Sequence, residues 1–197
     1  QKVRLPKPQA PQIQLFDPQA RFQDLLALGQ GLSAERCAVV HPCDTDSLRG
    51  AIDAAQYGLI IPVLIGPQAR LRSVAEAADI DLNGIEIINV PHSHAAAQKA
   101  VDLAALGDVG MLMKGSLHTD ELMHAVLSSP ALRTGRRMSH VFRFDIPLYP
   151  KPLLITDAAL NIRPSLAEKA DIIQNAIDFA RILGVEQPKV AILSAVE

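Results

Sequence analysis

The sequence predicts an α/β fold in which a parallel sheet is covered by helices on both faces. Short aliphatic runs alternate with helical segments of roughly 10 to 15 residues, which is the pattern of βαβ units. Only 4% of the 197 residues are aromatic, so aliphatic side chains supply most of the apolar content. Buried parallel strands are typically near-continuous aliphatic runs, because both of their faces are covered. We therefore predict a parallel-sheet, three-layer sandwich.

The elements follow in a regular order. Residues 1–18 are rich in proline and glutamine, and we interpret them as an extended tail or linker. A helical pattern then begins at Gln19 and reaches about Gly31. Aliphatic runs predict four strands, at residues 37–42, 59–66, 85–90 and 109–115. Amphipathic segments predict four further helices, at residues 44–57, 67–79, 93–107 and 120–129.

The pattern changes near residue 140, and we place a domain boundary there. Residues 19–140 form the predicted first α/β domain, and residues 141–197 form the start of a second one. In this second part the sequence predicts three strands, at residues 141–147, 152–156 and 189–195, and a long helix at residues 165–184. Because the chain closes on an apolar, strand-like run with nothing after it to cover its faces, we expect the second domain to be incomplete.

Composition excludes several classes of function. The formal net charge of −2 gives no general affinity for nucleic acid or for an anionic membrane surface. No stretch approaches the roughly 20 apolar residues of a membrane span, and no secretory signal begins the chain. Cys37 and Cys43 lack zinc-ligand spacing and are most simply two unpaired thiols in a reducing cytosol. We expect a cytoplasmic protein.

The segment from Met111 to Val126 is the most informative of the first domain. A buried strand ends at Lys114 and Gly115, and a helix follows with Thr119 as its expected N-cap. In open parallel sheets ligands bind beyond the carboxyl ends of the strands. Lys114 and free N–H groups at the helix start could therefore hold a phosphate. A capped turn with an exposed lysine is an equally good interpretation.

Two further groups of residues are candidates with structural alternatives. Arg133 lies in a basic segment that ends at His140, and guanidinium groups match phosphate well, although charge runs are usually solvated surface. Asp157 ends a strand and Asn161 follows it, which fits either a cleft residue or a loop held by backbone hydrogen bonds. We expect no metal site, since His92 and His94 have no nearby carboxylate or thiol partner.

Three segments together resemble the phosphate acetyltransferase and phosphate butyryltransferase family: "LMKGSLHTDEL", "SHVF" and the whole run from Leu153 to Glu197. The resemblance covers roughly residues 20–197 and is strongest from Met111 onward. It is closer to the butyryltransferase-like branch, which includes bifunctional enoyl-CoA hydratase/phosphate acetyltransferases. In such fused forms a linker similar to the proline-rich start follows an upstream hydratase domain.

The resemblance implies reversible acyl transfer between coenzyme A and inorganic phosphate, without a metal or redox cofactor. It also implies a fold like that of isocitrate and isopropylmalate dehydrogenases, usually as a homodimer. The substrate-binding candidates within the matching segments are Lys114, Thr119, Arg133, His140, Asp157 and Asn161. The family's catalytic Ser-Arg and Asp elements lie nearer its C-terminus, so we expect them beyond residue 197 and expect this chain alone to be inactive.

Two alternative functions are also compatible with the sequence. A module of the same fold that binds coenzyme A or acyl phosphate without catalysis would share these motifs. A metal- and nicotinamide-dependent dehydrogenase of that fold is less favoured, because its clustered carboxylates are missing apart from the "CDTD" group at Cys43–Asp46. The sequence does not determine whether an acetyl or a butyryl chain is preferred.

Overall fold

The computed structural model describes residues 17–157 and 159–193. These residues form two compact units. Residues 29–135 form one, which we call the sheet unit. Residues 17–28 and 136–193 belong to the other, which we call the ribbon unit. The proline-rich segment that the sequence predicts to be a tail lies, up to residue 16, outside the described residues.

The helices and strands lie within a few residues of their predicted positions, with one exception given below. The helices are α1 Pro18–Ala27, α2 Thr45–Gln56, α3 Gln68–Ala77, α4 Ser93–Leu106, α5 Thr119–Ser128 and α6 Leu166–Ile182, and Pro130–Leu132 forms a 3₁₀ turn. The strands are β1 Glu35–Val40, β2 Ile60–Gly66, β3 Glu86–Asn89, β4 Met111–Lys114, β5 Val141–Phe144 and β6 Leu153–Thr156.

The sheet unit contains four parallel strands in the order β3-β2-β1-β4. Alternate side chains of β1 enter two different cores. Cys37 and Val39 pack in the core to which α2 and α3 contribute, and Ala38 and Val40 pack in the core to which α4 and α5 contribute. Helices therefore cover both faces of the sheet, and the predicted α/β class with a parallel sheet is confirmed.

The order of the strands reverses at β1. The chain passes from β1 to β2 and β3 on one side, and then returns to place β4 on the other side of β1, where Val40 is paired with Lys114. Loops that leave β1 and β4 then diverge to opposite faces of the sheet. A crevice at the carboxyl ends of these two strands is the usual consequence, and it is where ligands bind in such sheets.

The ribbon unit contains α1, an antiparallel pair of strands and the helix α6. β5 and β6 are paired from Val141 opposite Thr156 to Phe144 opposite Leu153. A capping box begins α6, since Ser165 accepts from the backbone N–H of Glu168 and the Glu168 carboxylate accepts from the N–H of Ser165.

Residues 17–28 belong with the ribbon unit, whereas the sequence placed residues from 19 onward in the first domain. The guanidinium of Arg21 donates to the carbonyl oxygens of Ile146 and Tyr149, at 3.3 and 2.8 Å. The contacts join residues that are 125 and 128 positions apart in the sequence, so the sequence pattern alone could not reveal them.

The strand predicted at residues 189–195 is wrong where the structure describes it. Residues 189–193 are irregular, and Val190, Ile192 and Leu193 are 50%, 72% and 85% exposed. A strand requires a hydrogen-bonded neighbour, and no described strand is paired with this run. Residues 194 and 195 lie outside the described residues. Within the described part of the chain, no helix is both long and apolar enough to cross a membrane.

Candidate functional site

A pocket of about 490 Å³ lies where β1 and β4 end, at the reversal of strand order. We call it the switch-point pocket. Its lining residues come from the loop after β1, from the end of β4 and the loop after it, and from the first turns of α4 and α5: Asp44, Ser93, Lys114, Gly115, Ser116, Leu117, His118 and Glu121. Ligands of open parallel sheets bind beyond the carboxyl ends of the strands, and the structure joins two such ends, after β1 and after β4, in one pocket with the start of α4.

The main chain of β1 and the loop after β4 are in direct contact at the pocket. The N–H of Gly115 donates to the carbonyl of Val40, and the N–H of Ser116 donates to the carbonyl of His41, both at 2.9 Å. A Cβ on Gly115 would lie 2.5 Å from the Val40 oxygen and 2.8 Å from the His41 oxygen, well inside van der Waals contact. Glycine is therefore required here for close approach of two backbones.

The pocket carries one ammonium and two carboxylates. Lys114 is exposed, and its Nζ donates to the carbonyl of Gly115 at 3.2 Å. Among the described residues Lys114 forms no ion pair within 4.0 Å, so its charge is available to an anionic ligand. Glu121 Oε2 is buried and accepts no hydrogen bond from the described residues, and His94 Nδ1 lies 3.4 Å away, a contact that becomes an ion pair only when His94 is protonated.

Asp44 combines a structural role with a place in the pocket. Its carboxylate accepts from the backbone N–H of Ser47 at 2.8 Å, which caps the start of α2. That backbone hydrogen bond holds the pKa of Asp44 below its ordinary value against the opposing effect of burial, and the hydroxyl groups of Ser116 and Ser47 add to the lowering. Asp44 therefore remains a carboxylate at neutral pH and accepts hydrogen bonds from donors in the pocket.

The sequence predicts that Thr119 is the N-cap of α5, and this prediction is wrong. His118 is the N-cap, without a side-chain capping bond, and Thr119 is the first residue of α5. Thr119 is exposed and directly follows His118, which lines the pocket. The first turn of α5 contains Asp120 and Glu121, which are favourable beside the positive end of the helix dipole.

Arg133 lies in the sheet unit, but it does not line the switch-point pocket. Its Nε and Nη2 atoms both donate to the carbonyl of Leu127, at 3.1 and 2.8 Å. Leu127 is in the last turn of α5, whose terminal carbonyl groups lack partners within the helix. The guanidinium therefore stabilises the end of α5, which is a structural role that the basic character of the segment did not indicate.

The remaining candidates lie together in the ribbon unit. Asp157 accepts from the backbone N–H groups of Ala159 and Leu160, both at 3.1 Å, and from the side chain of Asn161. Asn161 also donates to the carbonyl of Met138 at 2.9 Å and accepts from Arg137 Nε at 2.7 Å. These contacts tie the loop after β6 to the segment before β5.

Burial alone would raise the pKa of Asp157, but hydrogen bonds outweigh it and lower the pKa. The donors, from the largest effect to the smallest, are the N–H of Leu160, the Asn161 amide, the N–H of Ala159 and the N–H of His140. The His140 carbonyl accepts from the Thr156 hydroxyl at 3.0 Å, and its ring packs edge-to-face on Phe142 at 4.3 Å between centroids. His140 Nδ1 is buried with no hydrogen-bond partner among the described residues.

The two other arginines of the basic segment are bound to α6. Arg136 pairs with Asp178 at 2.5 Å, and Arg137 pairs with Glu168 at 3.2 Å. The backbone N–H of Arg137 also donates to Asp171 at 2.9 Å. Two of the three arginines in the segment that the charge pattern associates with phosphate are therefore already paired with carboxylates on α6.

The six candidates fall into three places. Lys114 and Thr119 lie at or beside the switch-point pocket, Arg133 lies at the end of α5, and His140, Asp157 and Asn161 lie together in the ribbon unit. The predicted substrate-binding residues do not include Ser93, Ser116 or Glu121, although a polar side chain directly after a strand, or in the first turn of the next helix, was an available signal. Within residues 17–157 and 159–193, no cluster of three or more His, Cys, Asp or Glu is arranged to hold a metal ion.

Comparison with known proteins assigns the chain to a family. The family model described as "Phosphate acetyl/butaryl transferase" matches residues 92–197, which is more than half of the chain. The chain belongs to the phosphate acetyl/butaryl transferase family.

Individual relatives agree with this assignment. A phosphate acetyltransferase of Rickettsia felis is 53% identical over 185 residues, covering 92% of this chain and 53% of that protein. A phosphate butyryltransferase of Clostridium acetobutylicum is 36% identical over 177 residues, covering 89% of this chain and 59% of that one. The chain thus spans somewhat more than half the length of the curated relatives that it matches.

A solved structure supports the fold. A branched-chain phosphotransacylase from Enterococcus faecalis V583 superposes with a TM-score of 0.64 at 27% identity, covering 83% of this chain and 57% of that one.

Proposed function

We propose that the full-length protein transfers an acyl group between coenzyme A and inorganic phosphate. In the forward direction a phosphate oxygen attacks the carbonyl carbon of the thioester, the carbon–sulfur bond breaks, and coenzyme A leaves as the thiolate. The products are acyl phosphate and coenzyme A, and the reverse reaction follows the same path. Family membership together with Lys114 at the switch-point pocket is the observation that carries this proposal.

The pocket supplies groups suited to such substrates. The Lys114 ammonium can neutralise negative charge on phosphate, and charge-assisted hydrogen bonds of this kind are stronger than neutral ones. The carboxylates of Asp44 and Glu121 would repel phosphate if they were close to it, so we assign them to N–H and O–H donors of the substrate. The amide and hydroxyl groups of the pantetheine arm of coenzyme A are donors of that kind.

We infer further properties from family membership. The whole protein is proposed to adopt the fold of isocitrate and isopropylmalate dehydrogenases, to form a homodimer, to act in the cytoplasm and to require no metal or redox cofactor. Thr119, Arg133, His140, Asp157 and Asn161 stay candidate substrate contacts. The contacts of Arg133, Asp157 and Asn161 within the protein favour structural roles for those three.

An assay of the full-length protein with acetyl-, propionyl- and butyryl-CoA tests the proposal. We expect release of free thiol that requires phosphate, accompanied by acyl phosphate trapped as its hydroxamate. Lys114→Met should raise the KM for phosphate by roughly 10- to 100-fold, the equivalent of one lost charge-assisted hydrogen bond. Lys151→Met, at an exposed position outside the pocket, is the matched control and should leave the KM unchanged.

The assay also separates the alternatives. Binding of coenzyme A by calorimetry without any phosphate-dependent thiol release would indicate a non-catalytic binding module. An unchanged KM for phosphate in Lys114→Met would remove Lys114 from the site while leaving the activity itself in place. We expect the 197-residue chain, assayed in parallel, to be inactive.

A further inference from the structure

His41 is unusual among the polar residues of the sheet unit. It directly follows β1, and only 7% of its surface is exposed. Among the described residues it is the only polar or charged side chain that is buried to this extent. Its backbone has a positive φ of 55°, a conformation that non-glycine residues seldom adopt, although His, Asn and Asp adopt it several times more often than others do.

The imidazole forms one defined hydrogen bond. Nδ1 of His41 lies 2.8 Å from the carbonyl oxygen of Ser116. A carbonyl oxygen can only accept, so Nδ1 carries the hydrogen and donates it. A buried polar group must find such a partner, because an unsatisfied one carries a large desolvation cost.

The main chain of His41 holds the same two loops. Its carbonyl oxygen accepts from the N–H of Ser116 at 2.9 Å and from the N–H of Cys43 at 2.8 Å. The first contact leads to the loop that supplies Lys114, Gly115 and Ser116 to the switch-point pocket, and the second leads to Asp44. His41 does not line the pocket, yet it forms hydrogen bonds with Cys43 in the loop after β1 and with Ser116 in the loop after β4.

We propose that His41 is a positioning residue for acyl transfer, an inference that rests on the proposed function. Its Nδ1–H group fixes the Ser116 carbonyl, and this bond holds the Lys114–Ser116 segment at the distance from Asp44 that the substrate requires. Ser116 is held at both its N–H and its carbonyl by the same residue, so the segment cannot rotate about either peptide without breaking a contact with His41.

The required residue must tolerate a positive φ and donate from the first nitrogen beyond Cγ. Asparagine meets both conditions, because it adopts this conformation readily and its Nδ2 occupies the same place along the side chain as Nδ1 of histidine. Aspartate tolerates the backbone equally well, but its carboxylate cannot donate to the Ser116 carbonyl. The pair His41→Asn and His41→Asp therefore keeps the backbone conformation and changes the hydrogen bond, while the aspartate also adds a negative charge beside the Ser116 carbonyl.

The experiment compares these two variants in the full-length protein, with His124→Asn, an exposed position on α5, as the control. In His41→Asp we expect faster amide exchange in a peptide that spans Gly115 to Leu117. We also expect kcat to fall by roughly 10- to 100-fold, the size of effect that a small misplacement of binding groups produces. His41→Asn should restore slow exchange and most of kcat, and the control should behave as the wild type.

Three outcomes would overturn the proposal. These are wild-type kcat in His41→Asp, equal losses of kcat in His41→Asn and His41→Asp, or a loss of kcat that only follows a fall in the fraction of folded protein seen by circular dichroism. If the wild type transfers no acyl group, the proposed function fails. The exchange measurement still decides whether His41 holds the segment, since it requires no substrate.

Discussion

Different interactions stabilise the interior of the sheet unit and that of the ribbon unit. In the sheet unit, side chains of β1 and β2 such as Val39 and Leu64 are completely buried between helices and strands. In the ribbon unit, the exposed fractions of Phe142 and Ile155, which lie opposite each other on β5 and β6, are 45% and 43%. Close packing stabilises the first unit, and hydrogen bonds and ion pairs supply much of the order in the second.

This difference determines where each unit is sensitive. Removing buried apolar volume leaves a cavity that a close-packed core cannot fill, so the cost is large and local. An exposed ion pair or hydrogen bond contributes little by itself, because water competes for each partner. The contacts of Arg137 with Asn161, Glu168 and Asp171 therefore order their segment jointly, and no one of them is expected to dominate.

The largest contrast should appear on truncating one apolar side chain in each unit. Leu64→Ala, at a fully buried position of β2, should lower the free energy of unfolding by about 3 kcal/mol. Ile155→Ala, at a position 43% exposed on β6, should cost less than about 1 kcal/mol. Urea unfolding of the full-length protein measures both, and hydrogen exchange in peptides of each unit assigns the effect. Equal costs would contradict the comparison.

A glycine pair tests main-chain contact against conformational strain. Gly115→Ala places a methyl group 2.5 Å from the Val40 oxygen and should cost about 2 kcal/mol, with loss of substrate affinity. Gly184→Ala, after α6, meets no atom within 4 Å and suffers only from its φ of 85°, so we expect about 1 kcal/mol.

Gly50→Ala is the control for both glycine variants, because its position in α2 has open space around it and a helix favours alanine. The urea midpoints of the three variants rank their stabilities, and we expect the lowest midpoint for Gly115→Ala and the highest for Gly50→Ala. A Gly115→Ala variant as stable as Gly50→Ala would show that the loop after β4 can move away from β1.

The smallest effects concern two carboxylates, one from each unit. The pKa values of Asp44 and Asp157 are both lowered by folding, so each stabilises the fold above its ordinary pKa of 3.8. That contribution is lost as the pH falls through the folded-state pKa. Asp44→Asn should change stability little at pH 7, since asparagine caps a helix equally well.

Asp157→Asn should cost somewhat more at pH 7, though less than about 1 kcal/mol because the group is partly exposed to water. Its new amide would oppose the Asn161 amide that donates to the native carboxylate. Urea midpoints measured at pH 7 and pH 3 test both variants, and in each variant the two midpoints should lie closer together than in the wild type. A variant whose midpoints differ as much as those of the wild type would show that the replaced carboxylate does not contribute to the pH dependence of stability.

The sequence predicts the sheet unit well because burial leaves a clear mark on it. The aliphatic runs that became β1 and β2 are continuous since both faces of each strand are covered, and Asp44 marks the start of α2 through its own side chain. The apolar run after Lys189 carries a similar mark, yet it is irregular where it is described, because a strand also needs a neighbour.

The candidate site is predictable only in part. That Lys114 lies at a strand end follows from the pattern, and topology then brings it to the reversal of strand order. The hydrogen-bond partner of an arginine cannot be predicted from the sequence pattern, because it depends on the folded chain. Arg133 donates to the Leu127 carbonyl, and Arg137 donates to the side chain of Asn161. The role of His41 was also hidden, because its φ and its contact with Ser116, 75 positions away, exist only in the folded chain.

The lengths of the strands affect how this protein behaves at high concentration. Among the residues that the structure describes, the two edge strands of the sheet are β3 and β4 with four residues each, whereas the inner strands β1 and β2 have six and seven. An exposed sheet edge is a template onto which a strand of another molecule can be added, and short edge strands restrict that addition. The order of the strands thus places the two longest strands, β1 and β2, inside the sheet. A second molecule cannot pair with their backbones there, which limits aggregation through this sheet.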